Sequence, residues 1–214
     1  MYQPEGNYFD KYGSKNLVVR KIMRGFFNGI HATLCPPPKK QLSILNECKS
    51  ILDAGCGEGN VTNYMRNIEK DAVIDAFDIS EKVIAEAKNN FSGINFFTGS
   101  MYDIPKEDKT YDLVMSSEVL EHMDNPETAL RELMRVSKKY IFISVPREPL
   151  WCVLNLARGK YITSWGNTPG HVNHWGKNEL IRWINSVSDE WLVVNVNNPL
   201  PWTMVLLQRK SSRG

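Results

Sequence analysis

The sequence has 214 residues, with 26 Lys and Arg against 24 Asp and Glu, for a formal net charge of +2. That length suits one α/β domain with a full core, and 42% hydrophobic with 23% charged residues exclude a disordered or low-complexity chain. No apolar run reaches the ~18 residues of a membrane span and Met1-Tyr2-Gln3-Pro4-Glu5 does not open a basic-then-apolar leader, so a cytoplasmic protein is expected. Cys35, Cys48, Cys56 and Cys152 show no CxxC pairing and read as reduced thiols, not as a disulfide or zinc framework.

Charge is uneven along the chain. Residues 1–50 hold eight Lys/Arg and three Asp/Glu, about +5, and the remainder is about −3. Such a segment is either a solvated basic helix or a surface for an anionic substrate, RNA or a membrane. Residues 1–14 carry Tyr2, Tyr8, Phe9 and Tyr12 among polar neighbours. From Asn16 to Ile30, Val18, Val19, Ile22, Met23, Phe26 and Ile30 share one helical face, with Arg20, Lys21, Arg24 and Asn28 on the other. Cys35-Pro36-Pro37-Pro38 ends that helix, because proline cannot continue it. A short helix is expected over Lys39–Cys48.

Ile51-Leu52-Asp53-Ala54-Gly55-Cys56-Gly57-Glu58-Gly59 follows, and Val61, Tyr64, Met65 and Ile68 then recur at helical spacing. This is strand, glycine turn, helix. The turn can approach a ligand closely, and the helix start offers unpaired N–H groups. The spacing is G-x-G-x-G, unlike the dinucleotide G-x-G-x-x-G or a phosphate loop ending in G-K-[ST]. A turn with no ligand is the alternative. Asp53-x-Gly55-x-Gly57-x-Gly59 resembles motif I of the class I S-adenosylmethionine methyltransferases. The resemblance implies a cofactor site of Asp53, Gly55, Cys56, Gly57 and Gly59.

The second strand, Ala72 to Phe77, ends in Asp78-Ile79-Ser80. An acid about 20 residues past the glycines can accept both ribose hydroxyls, because its two oxygens face two neighbouring donors. Asp78 takes that part, with Ile79 beside it; a solvated loop acid is the alternative. Ser80 is a candidate cap for a helix through Val83, Ile84 and Ala87. The third strand, Ile94 to Thr98, leads to Gly99-Ser100-Met101-Tyr102-Asp103-Ile104-Pro105, similar to the family's G-D-A-x-D-L-P segment. Ser100 stands where the family has the acid that accepts from the adenine amino group. A hydroxyl accepts without charge, and the Met101 N–H is a candidate donor to an adenine ring nitrogen.

Tyr111-Asp112-Leu113-Val114-Met115-Ser116-Ser117-Glu118-Val119-Leu120-Glu121-His122-Met123 is similar to the F-D-L-V-x-x-x-E-V-L-E-H run of the type 11 methyltransferases, which include ubiquinone-biosynthesis O-methyltransferases. A fourth strand ending near Ser116 would put that residue at the ligand edge of the sheet. A helix follows, capped by Asn125 with Pro126 at its first position, and Lys139 to Val145 is a fifth strand. Arg147 to Gly176 is a long excursion read as irregular, with Trp151, Tyr161, Trp165 and Trp175; all six tryptophans lie after residue 150. These four aromatics, with Tyr8 and Tyr12, are candidates to wall an acceptor pocket; a hydrophobic mini-core under the loop is the alternative for the four. A helix over Glu179–Val187 precedes strands Trp191–Val196 and Trp202–Gln208, expected to be antiparallel.

The resemblance covers residues 49–145. It implies a Rossmann-like α/β fold: a seven-stranded, mostly parallel sheet with the last strand antiparallel and helices on both faces. Residues 1–48 would be an N-terminal helical lid or appendage, and 49–214 the methyltransferase domain with an aromatic insertion at 147–176. The implied activity is methyl transfer to an oxygen, in preference to a nitrogen, of a small-molecule acceptor. RNA 2′-O-methylation and a non-catalytic cofactor-binding module are the alternatives.

A hydroxyl acceptor needs a base, for which His122 and His171 are candidates, or a metal. If Glu118–His122 is helical, Glu118, Glu121 and His122 share a face. This E-x-x-E-H run and His171-Val172-Asn173-His174-Trp175 also resemble the metal motif of small-RNA 2′-O-methyltransferases. That implies Glu118, Glu121, His122 and His171 as ligands of Mg2+, Mn2+ or Zn2+. Many type 11 enzymes with the same run are thought to need no metal.

Overall fold

The computed structural model describes residues 13–35 and 43–211. Helix α1 (Leu17–Leu34) starts at Asn16, whose side chain accepts from the Val18 and Val19 N–H groups. It ends at Leu34, directly before Cys35 as expected, and Thr33 and Leu34 continue the buried stripe of Phe26 and Ile30. Of the short helix expected over 39–48, residues 39–42 lie outside the described residues and the rest holds one 3-10 turn, Ile44–Glu47.

The α/β body then follows in order: β1 (Ser50–Ala54), α2 (Asn60–Ile68), β2 (Val73–Asp78), α3 (Glu81–Asn90), β3 (Asn95–Thr98), β4 (Tyr111–Ser117), a 3-10 turn Leu120–His122, α4 (Pro126–Val136), β5 (Ser137–Pro146), α5 (Leu150–Ala157), a 3-10 turn Ile162–Ser164, α6 (Lys177–Val187), β6 (Trp191–Asn197) and β7 (Trp202–Arg209). The seven strands lie in the order β3-β2-β1-β4-β5-β7-β6. All pairs among β1 to β5 are parallel, and β7 is antiparallel to both β5 and β6. The Rossmann-like sheet with its last strand reversed is therefore as the resemblance implied.

Strand alternation sorts the core to two faces. Leu52, Val114, Ile141 and Ile143 pack with Leu130 and Leu133 of α4 and Leu180 and Ile184 of α6. Ile51, Leu113 and Phe142 pack with Met65 of α2 and Phe26 and Ile30 of α1. Helix α1 is thus built onto the sheet. Its Phe26 ring lies 4.7 Å from that of Trp202, edge-on, and Asn195 Nδ2 donates to Thr33 O at 2.9 Å. Gly29 permits the approach, since a Cβ there would sit 2.5 Å from Pro199 Cγ.

The excursion after β5 is not irregular as expected. It holds α5 and a 3-10 turn, and it bonds to itself: Asn155 Nδ2 donates to Gly166 O at 2.8 Å and Trp151 Nε1 to Thr168 Oγ1 at 2.9 Å. The helix escaped its periodicity because its one polar residue, Asn155, is the one turned inward and buried. Among the described residues no helix is long and apolar enough to cross a membrane.

Candidate active site

The site is assembled where β1, β2 and β4 end at the same edge of the sheet, as open α/β sheets bind ligands. Asp53, on β1, is buried and accepts a 2.6 Å bond from Thr62 Oγ1 on α2. Burial pushes its carboxyl up to about 6, and the Thr62 bond pulls the other way. Asp53 therefore braces the start of α2 beneath the turn and does not face open space.

The three glycines above it all have positive φ: +78° at Gly55, +53° at Gly57 and +82° at Gly59. Their surroundings differ. A Cβ at Gly55 would lie 2.5 Å from Val119, and one at Gly59 would lie 2.9 Å from Phe96, whereas at Gly57 nothing comes within 4 Å. Gly55 and Gly59 are thus required by packing, and Gly57 faces room. The Gly57 N–H donates to Asp78 Oδ2 at 3.0 Å, and the Ser80 N–H donates to Asp78 Oδ1 at 3.0 Å. Asp78 locks the glycine turn to the end of β2, and each oxygen keeps a further lone pair. Cys56 is buried, which pushes its thiol far up, and Ile79 is half exposed beside Asp78.

In the loop after β3, Ser100 Oγ accepts from the Tyr102 N–H at 3.1 Å, and Met101 is buried. At the end of β4 the Ser116 and Ser117 hydroxyls are buried and have no hydrogen-bond partner among the described residues. Buried hydroxyls without partners call for a polar ligand or water. Together with the room above Gly57, they fit a nucleoside-type cofactor.

Beyond β4, Glu118–His122 is not one helix, the condition on which its acids and His122 would share a face. Glu118 adopts φ +60°, which ends the strand sharply, and only Leu120–His122 makes a 3-10 turn. The Glu118 carboxylate accepts from Ser144 Oγ at 3.0 Å and Trp202 Nε1 at 2.7 Å. Glu118 thereby braces β4, β5 and β7, and it is not among the three candidate ligands whose donor atoms gather most closely.

The other three candidates do meet. Donor atoms of Glu121, His122 and His171 all lie within 4.8 Å of one another, and the two imidazole rings are 4.9 Å apart at 78°. The excursion is drawn back to this point by the Glu121 carbonyl, which accepts from the Val172 and Asn173 N–H groups at 2.9 and 3.0 Å. Asn173 Nδ2 also donates to Leu120 O at 3.1 Å and Met123 O at 2.6 Å. His122 Nδ1 lies 2.9 Å from Gly170 O; a carbonyl only accepts, so Nδ1 carries the proton and neutral His122 has its lone pair on Nε2. Sequence reasoning missed the braces Thr62, nine residues from Asp53, and Ser144, Asn173 and Trp202, whose partners are distant in the chain.

The four candidate aromatics diverge. Trp151 lies 6.0 Å from His171, ring to ring. Trp175 stacks on Trp183 at 4.8 Å. Tyr161 and Trp165 both have positive φ, and Trp165 is 84% exposed. Tyr8 and Tyr12 lie outside the described residues.

Residues 52–142 match the family described as Methyltransferase domain. That stretch is similar to the type 11 group of class I S-adenosylmethionine-dependent methyltransferases. An uncharacterized methyltransferase of Schizosaccharomyces pombe is 32% identical over 108 residues, 45% of this chain and 39% of that protein. A malonyl-(acyl-carrier protein) O-methyltransferase of Halalkalibacterium halodurans is 30% identical over 101 residues, 44% of this chain and 37% of that one. These matches span about two fifths of the relatives' own length. The fold is that of magnesium protoporphyrin IX methyltransferase from Synechocystis PCC 6803, solved with bound SAH: TM-score 0.66 at 17% identity, covering 95% of this chain and 91% of that one. The methyltransferase match ends before the excursion that carries His171.

Proposed function

We propose that this chain transfers a methyl group from S-adenosylmethionine to an oxygen of a small-molecule acceptor. The observation that carries the reading is the gathering of Glu121, His122 and His171 within 4.8 Å, at the sheet edge where the glycine turn opens. S-adenosylmethionine, when bound, supplies a methyl group already activated on a sulfonium. The protein must hold the acceptor in line with it, and such positioning is worth ~7–11 kcal/mol. The cofactor seat comprises Asp53, Gly55, Cys56, Gly57, Gly59, Asp78, Ile79, Ser100, Met101 and Ser116. Asp53 acts through Thr62, Gly57 gives room, and Asp78 offers its remaining lone pairs to the ribose.

His122 is the base of first choice. Its Nδ1 proton is held by Gly170 O, which orients Nε2 to take the acceptor's proton, a contribution of about 10²–10⁴ in rate. His171 is the second candidate, with Trp151 against it as one wall of the acceptor pocket. Tyr8, Tyr12, Tyr161, Trp165 and Trp175 are further candidates on sequence grounds, with residues 1–48 as the appendage over the site. The O-methyltransferase name of the H. halodurans relative supports oxygen over nitrogen.

The same cluster favours one second reading. Two imidazoles and a carboxylate form a donor set that suits Zn2+ or Mn2+ better than Mg2+. Glu121, His122 and His171 would hold the ion, which would lower the acceptor hydroxyl's pKa. That would be in keeping with an RNA 2′-O-methyltransferase. The test is a labelled-methyl assay against fractionated metabolites and small RNAs, with and without excess chelator. Label in a metabolite fraction, undiminished by chelator and lost in His122→Gln, is the expected result. Label confined to RNA and abolished by chelator would replace the first reading with the second. SAH binding without turnover on any fraction would leave a non-catalytic module.

A further inference from the structure

Helix α5 is inside out. Of its residues Leu150-Trp151-Cys152-Val153-Leu154-Asn155-Leu156-Ala157, the only polar one, Asn155, is buried. Val153 is 56% exposed, and Leu154 and Leu156 are exposed with it. At 100° per residue these three and Ala157 lie on the half of the helix opposite Asn155. In the turn that follows, which bonds to Asn155 through Gly166 O, Ile162 is 65% exposed and Trp165 84% exposed. Trp165 is held at φ +51°, a conformation side-chain-bearing residues rarely adopt. The module keeps this shape through bonds of its own, from Asn155 to Gly166 O and from Trp151 to Thr168. Exposed apolar side chains gathered in one such module mark a site of contact.

Its flanking charge selects the partner. Between Glu148 and Glu179 the chain has no Asp or Glu, while Arg158, which also donates to Asn155 Oδ1, and Lys160 are exposed directly after the helix. A short apolar helix edge with a tryptophan and adjacent cations, without acids, matches the interface of an anionic lipid bilayer: side chains enter among the acyl ends, Trp sits at headgroup depth, and Lys/Arg meet lipid phosphates.

We infer that Val153, Leu154, Leu156, Ile162 and Trp165, with Arg158 and Lys160, form a docking face for an anionic phospholipid membrane surface. The protein would lie on the bilayer without spanning it. Because α5 leaves the ligand edge of the sheet just after β5, docking sets the site beside the headgroups, with Trp151 on the helix's inner side against His171.

The test is cosedimentation of the full chain with phosphatidylcholine vesicles, with and without phosphatidylglycerol, while SAH affinity is measured in parallel. Binding to the phosphatidylglycerol vesicles alone, weakening as salt is raised, is expected. Arg158→Ala and Lys160→Ala should each weaken it about fivefold. Val153→Asp with Ile162→Asp should weaken it at least about tenfold with SAH affinity retained. Should the double variant fail to fold, Lys160→Ala still decides, since Arg158 also bonds Asn155 within the module. No binding to either vesicle, or unchanged binding by all variants, would overturn the proposal. So would a dimer in solution that Val153→Asp dissolves, or vesicle binding seen only after residues 1–12 are deleted, since a second copy or that segment would then cover the face.

Discussion

Gly57 separates a ligand-binding turn from a merely structural one. Its φ of +53° means that any side chain costs about 1–2 kcal/mol of backbone strain. No protein atom lies within 4 Å of a Cβ placed there, so the fold adds no steric cost. Gly57→Ala should therefore unfold at a temperature about 2–8 °C lower, from about 2–4 °C per kcal/mol for a chain of this size. Gly55→Ala, whose Cβ would sit 2.5 Å from Val119, should lose clearly more. Calorimetry with SAH should give the opposite order of diagnostic value. If the cofactor lies against the turn, Gly57→Ala loses more than the roughly thirtyfold that about 2 kcal/mol of strain alone could account for, and Gly57→Val, still folded, shows no measurable binding. A folded Gly57→Val with unchanged SAH affinity would refute the assignment of that space to the cofactor.

Three further outcomes follow from the packing around the site. Glu118→Ala leaves Trp202 Nε1 and Ser144 Oγ without their shared acceptor and should cost about 1–3 kcal/mol in urea denaturation; no loss would remove Glu118 as a brace. The Asp53 carboxyl is held up to about 6 in the folded protein against an ordinary value near 3.9, so the native state binds the extra proton between those values. That contribution is present below about pH 4 and lost as pH rises through about 6, on the order of 3 kcal/mol. Asp53→Asn should flatten this fall in a pH series of melts, and a parallel curve for the variant would show that Asp53 is not the group responsible. Gly29→Ala places a methyl 2.5 Å from Pro199 Cγ and should destabilise by about 1–3 kcal/mol, whereas Gly25→Ala, with nothing within 4 Å, should stabilise by about 0.5–1 kcal/mol. Equal effects in thermal melts would mean that α1 does not press on the 199 link.

What the sequence determined by itself was what is local and periodic. The strand–glycine–helix unit at 51–68, Asp78 at the end of β2, and the caps Asn16, Ser80 and Asn125 are all legible because their partners lie within a few residues or one βαβ unit. The seven-stranded sheet came from three motifs in family order together with strand periodicity. The tertiary structure decided what depends on distant partners. Glu118 reads as part of a helical E-x-x-E-H face, but bonds to Ser144 and Trp202, 26 and 84 residues away, accompany a left-handed backbone that breaks that face. His171 reaches His122 only because the Glu121 carbonyl holds the chain 50 residues later. Helix α5 was hidden for the reverse reason. Periodicity assumes that apolar residues point inward, and here the buried position belongs to Asn155, so the pattern that reveals other helices was absent from this one.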